Sequence, residues 1–122
     1  LEGWIAGIEV DPLDSSRFWV LYTRRESNGK LWYFDGKKYT DCTGSWGDAQ
    51  CESLILQRGS APRLYVGSDR GVFTSKAYDS AWLRMAGIPG TFVKSLAINY
   101  ANRKLIAGTF GRGIWQVDLI DP

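Results

Sequence analysis

The stretch AGTFGRGIWQ, residues 107–116, sets three glycines and an arginine between two apolar runs, with a tryptophan close behind. Loops this rich in glycine cradle phosphate when a helix follows, because the helix aims its first N–H groups at the anion. Here the strand-like GIWQVDL follows instead. The glycines therefore predict a hairpin turn, with Gly71 and Gly113 supplying positive φ. Arg24, Arg25, Arg70 and Arg112 fall in turns of this kind. Guanidinium groups gathered at one corner hold a carboxylate or a sulfate. Glu26 and Asp69 lie beside them and are equally able to pair with them, so both readings stand. Trp46 lies between Cys42 and Cys51 in TGSWGDAQ. On such a loop its ring either stacks on a sugar or anchors a protein partner, or folds back to plug the loop. Phe110 is expected on the same face. Asp48 and Asp69 are the carboxylates there that glycoside cleavage would need as a pair, but no complete catalytic set is expected in the chain. The ligand-binding candidates are thus Trp46, Arg24, Arg25, Asp69, Arg70, Phe110 and Arg112.

The chain has 122 residues and contains no histidine, which removes Ser-His-Asp and Cys-His catalysis, His-ligated metals and a histidine pH switch. Two cysteines without histidine cannot complete a four-ligand zinc site from soft ligands. Neither a metal nor a cofactor is expected. Cys42 and Cys51 are either a disulfide or two independent thiols; the even count and short spacing favour the disulfide and an oxidising compartment, the cell surface, the exterior or the periplasm. Closing so short a loop stabilises by roughly 2.5–3 kcal/mol in the chain-entropy model. Fifteen basic and thirteen acidic residues leave a net charge of +2, too little to imply a nucleic-acid partner. No apolar run approaches the roughly 18 residues of a membrane span.

The elements that must position these residues come in repeats. Leu54, Gly71 and Phe73 recur 42 residues later as Leu96, Gly113 and Trp115, and Leu64 recurs 41 later as Leu105. Ile8 and Phe18 precede Leu54 and Leu64 by 46, and Gly29 precedes Gly71 by 42. Each unit reads as short strands rich in β-branched and aromatic residues, broken by Gly, Asp, Asn and Pro. GIEV, SLIL and SLAI are first strands; FWVLYT, LYVGS and LIAGT second; KLWYF, GVFTS and GIWQV third; KKYTD and AWLRM weaker fourth strands. No window shows a sustained helical period. Four strands in 40–45 residues are a β-propeller blade. The expected fold is all-β, one partial propeller domain over residues 1–122, with blades near 4–41, 51–85 and 92–119. The last blade lacks its fourth strand. Three blades fall short of the four a closed ring needs, so the remaining blades of a parent propeller, or a second copy, are the expected partners.

The pairing of RLYVGSDRGVFTS with KLIAGTFGRGIWQVDL resembles the Asp-box, or bacterial neuraminidase repeat, propellers. Sialidases, sortilin-type receptors, xyloglucan-cleaving glycosidases and photosystem assembly factors share that blade. The box reads Ser-x-Asp-x-Gly-x-Thr-Trp; in SKAYDSAW, Ser75 and Trp82 keep its ends, while Ala77, Asp79 and Ala81 depart from it. In YFDGKKY, Tyr39 holds the Trp position. The resemblance implies that the box is a fold-stabilising turn and that Trp82 packs between blades. It also implies closing blades of a larger propeller. The expectation is a non-catalytic binding or structural segment of an extracellular bacterial protein, with a glycan or protein ligand on the loops of one face. The alternative is the C-terminal part of a sialidase- or xyloglucanase-like glycoside hydrolase whose catalytic residues lie elsewhere; the Tyr/Glu pair of sialidases has no match here.

Overall fold

Alternation of residue type at period two puts successive side chains on opposite faces of a strand, and eleven strands follow from it. A computed structural model describes residues 3–24, 29–79 and 81–120. The strands are β1 Trp4–Val10, β2 Phe18–Arg24, β3 Leu31–Phe34, β4 Tyr39–Asp41, β5 Cys51–Gln57, β6 Arg63–Ser68, β7 Gly71–Lys76, β8 Leu83–Arg84, β9 Val93–Asn99, β10 Lys104–Thr109 and β11 Ile114–Asp118. Among the described residues there is no helix, and so none long and apolar enough to cross a membrane. Three open antiparallel sheets result, ordered β1-β2-β3-β4, β5-β6-β7-β8 and β9-β10-β11.

The offsets seen in the sequence are structural equivalences. Gly29, Gly71 and Gly113 each precede a third strand and take φ of 98°, 98° and 76°. That left-handed conformation is open to glycine at little cost, so the glycine-rich stretch 107–116 is a hairpin. One residue is also bulged at the same place in each first strand. Ala6, Glu52 and Lys94 have no partner between Ile5 and Gly7, Cys51 and Ser53, and Val93 and Ser95. A bulge adds a local bend and twist, so each first strand is bent alike.

The second sheet lies between the other two. All six residues of β6 are buried. Leu64 and Val66 join Trp19, Leu21 and Leu31 of the first sheet in one core. Tyr65 and Val72 join Leu105 and Ala107 of the third in another. The sheets come close at their inner strands: a Cβ built on Gly7 of β1 would sit 3.2 Å from the Leu54 Cβ of β5, and one on Gly67 of β6 would sit 3.0 Å from Val93 Cγ1 of β9.

Candidate functional site

Among the described residues, the β6–β7 and β10–β11 turns and the connections between sheets form a rim at one end. The 42–50 connection is held by Thr43, whose Oγ1 accepts from Lys30 N at 2.7 Å and Leu31 N at 3.0 Å. It is clasped to the β6–β7 turn from both sides: Gln50 N donates to Asp69 Oδ1 at 3.1 Å, and Asp69 N to Gln50 O at 2.9 Å. Arg70 pairs with Asp48 at 2.8 Å, and that bond and charge hold the Asp48 carboxyl below the usual carboxylate range. Both groups are exposed, and an ion pair in such a setting adds little stability. β8 is bonded to the same turn, with Arg84 Nε donating to Arg70 O at 3.1 Å, and the connection after it to the last turn, with Phe110 N donating to Phe92 O at 2.9 Å.

The predicted site residues fare differently. Asp69 clasps a loop and Arg70 is paired. Arg112 and Phe110 stand exposed on the β10–β11 turn, Phe110 at 75%. Arg24 ends β2 with its side chain outside the described residues, and Arg25 lies outside them altogether. Asp48 and Asp69, the two carboxylates considered for glycoside cleavage, are engaged with Arg70 and Gln50.

Trp46 requires a correction. Its ring is 1% exposed and packs edge-on against Trp82, centroids 5.1 Å apart and planes at 81°. Trp46 has no face for a sugar to stack on; it fills the space between the first two sheets. Trp82 reaches across from the second sheet and donates Nε1–H to Cys42 O at 2.9 Å. A Cβ at Gly44 would fall 2.3 Å from the Trp82 ring, so the loop crosses the indole only because residue 44 has no side chain. Trp82 is thus a half-buried packing residue at the edge of the first core.

The expected disulfide is not formed either: Cys42 and Cys51 are free thiols. Cys42 leaves the outermost strand of one sheet and Cys51 opens the first strand of the next. The pinned loop between them turns each Sγ to the carbonyl two residues back, of Thr40 and Ala49, at 3.6 Å. Burial pushes both thiols up, Cys51 to about 12. A folded pKa above the ordinary one stabilises the fold below about pH 8.5, and the contribution is lost as pH rises from there towards 12. At pH 8 the thiolate fraction of Cys51 is roughly a thousandth of that of an unfolded cysteine, so its alkylation in the native protein is expected to be about 10³-fold slower. Mass spectrometry after timed iodoacetamide treatment checks this; labelling of native Cys51 at the unfolded rate refutes the burial.

The opposite end carries a feature that the sequence did not disclose. Asp11, 3% exposed, begins the β1–β2 turn and accepts the Leu13 N–H at 2.9 Å. Its carboxylate also accepts the Tyr33 hydroxyl from its own sheet and the Tyr78 hydroxyl from the second, both at 2.7 Å. Burial, and next the bond to Asp11, raise both phenols above their ordinary pKa. Trp19 packs against both rings, at 4.7 and 5.6 Å. No sequence spacing marks such a latch, since Tyr78 lies 67 residues from Asp11.

Beside it opens a cleft of ≈ 660 Å³ between the β1–β2 and β5–β6 turns, with Glu9, Arg58 and Tyr100 on its wall. The Arg58 guanidinium stacks on the Tyr100 ring at 5.0 Å, and Arg58 N donates to Tyr100 Oη at 3.0 Å. Burial raises the Glu9 carboxyl above its usual range, against the Leu56 backbone bond and the Arg58 charge. Asp14, also lining the cleft, is engaged with Ser16 and Arg17. The cleft therefore offers one cation, one acid and one aromatic ring, a set suited to holding a polar ligand. Glycoside cleavage takes two carboxyl groups with free oxygens. Among the described residues no three His, Cys, Asp or Glu side chains converge on a metal-sized position.

The chain matches no protein-family model, no curated protein and no solved structure.

Proposed function

We propose that the chain is a non-catalytic binding or structural segment of a β-propeller, its sheets being blades and its rim loops the surface offered to a glycan or protein ligand. The observation that carries this reading is the state of the carboxylates. Asp48 is paired with Arg70, Asp69 clasps Gln50, and Asp11 is held by two tyrosines. These acids hold loops and sheets together. Among the described residues, the rim leaves for a ligand Phe110 and Arg112, an aromatic ring and a guanidinium exposed on one hairpin turn. The repeated bulges, the recurring positive-φ glycines and the nesting of one sheet between two others support the blade reading. An extracellular bacterial setting rests on the family resemblance, because free thiols give it no support.

Binding to a glycan array, followed by assay for reducing sugar, tests the proposal. The expected outcome is binding without release of reducing sugar, weakened about tenfold or more by Phe110→Ala, as for a central aromatic contact. Release of reducing sugar by the purified chain would overturn it.

A further inference from the structure

The two end faces of the three-sheet array are the two halves of a contact that the chain already makes twice. In the second sheet, Leu64 faces the first sheet and Tyr65, Gly67 and Val72 face the third. The residue equivalent to Leu64 in the first sheet is Phe18, 46 positions earlier. It lies in a row, Val10–Phe18–Phe34–Tyr39, that crosses all four strands on the face turned away from the second sheet. Ile8 and Val10 on this face are 57% and 54% exposed. At the other end, the equivalents of Tyr65, Gly67 and Val72 are Ile106, Gly108 and Ile114, on the outward face of the third sheet, with Ile114 75% exposed.

One detail fixes how the halves would meet. Gly67 leaves a hollow shared by Ser53 Oγ of its own sheet and by Val93, fully buried, which enters from the next sheet. The equivalent hollow is at Gly108. The residue equivalent to Val93, through the shared bulge position, is Ile5, and it is 55% exposed. Knob and hollow are therefore present on opposite ends of one chain.

We propose that a second copy of this chain covers both faces, the first sheet of each copy packing on the third sheet of the other with Ile5 over Gly108, in a closed two-fold pair of six sheets. The occupant follows from area and closure. With strands about 4.8 Å apart and five residues long, the four-strand face of the first sheet projects roughly 300 Å² and the three-strand face of the third roughly 240 Å². One such face falls well short of the ~800 Å² per partner of a stable complex, whereas two per copy come near it once side-chain relief is added. A head-to-tail contact must close or grow without limit, and six sheets lie within the range in which such rings close. The proposal rests on the blade reading above.

Light scattering on the full chain, with Ile8→Lys and Ile114→Asp, tests it. Both substitutions fall on exposed positions, and unchanged circular dichroism checks their folding. The expected mass is twice 13.7 kDa for the parent chain and 13.7 kDa for each variant. A monomeric parent at high micromolar concentration overturns the pair, as does a series of larger species growing with concentration. A paired Ile114→Asp variant also overturns it, because like faces would then be meeting. Each of these results leaves the blade reading to the glycan experiment.

Discussion

Replacing Trp46 by alanine is expected to destabilise the chain by about 3–5 kcal/mol, the usual cost of deleting a large aromatic from a core. A domain of this size is stable by about 5–15 kcal/mol, so the variant will be marginal. The side chain is among the largest fully buried ones and lies against Trp82, whose own bond to Cys42 ties the second sheet to the loop leaving the first. Loss of Trp46 therefore opens a cavity and removes the support of an inter-sheet contact. Trp46→Phe should behave quite differently. Among the described residues the indole Nε1 is buried without a hydrogen-bond partner, and an unsatisfied buried donor costs about 1–3 kcal/mol. Phenylalanine removes that donor while keeping most of the ring, so the loss of packing is offset and the net change should stay within about 1.5 kcal/mol. Urea unfolding of the three proteins measures both quantities. An alanine variant as stable as the parent would return Trp46 to the surface as a ligand contact.

Asp11→Ala is the second large effect, at about 2–4 kcal/mol. Hydrogen bonds to a charged group contribute about 1.5–3 kcal/mol each and are not additive in one cluster. Alanine removes the acceptor of Leu13 N, Tyr33 Oη and Tyr78 Oη together. The partial exposure of Tyr78 lets water replace one of these bonds, which keeps the figure below their sum. Asp11→Asn keeps an oxygen for two of the donors and should cost about half as much. Tyr78→Phe should cost about 1 kcal/mol and should lose most of its effect in the Asp11→Ala background. A double-mutant cycle with no coupling would show that the two sheets are not joined there.

The strands, the repeats and the turn glycines were legible in the residues because each is set locally. Period-two alternation in FWVLYT or LYVGS decides a strand within six residues. Gly71 and Gly113 are required by a positive φ at a single position, and a strand after them rules out a helix-terminal anion site without reference to anything distant. What the sequence left open were choices between two faces of a loop or two partners for a group. Trp46 could turn outward to a ligand or inward to Trp82, and the inward course was decided by Gly44, which lets the backbone cross an indole 38 residues further along the chain. The nine-residue spacing of Cys42 and Cys51 suited a bridge, but their strands belong to different sheets, and the hydrogen bonds of Thr43 and Asp69 set the course between them. Asp11 begins a turn, but its two tyrosines arrive from the third strand of its own sheet and from the neighbouring sheet. Such contacts depend on how sheets stack, and stacking is decided by side chains far apart in sequence that become neighbours only when apolar faces leave water together.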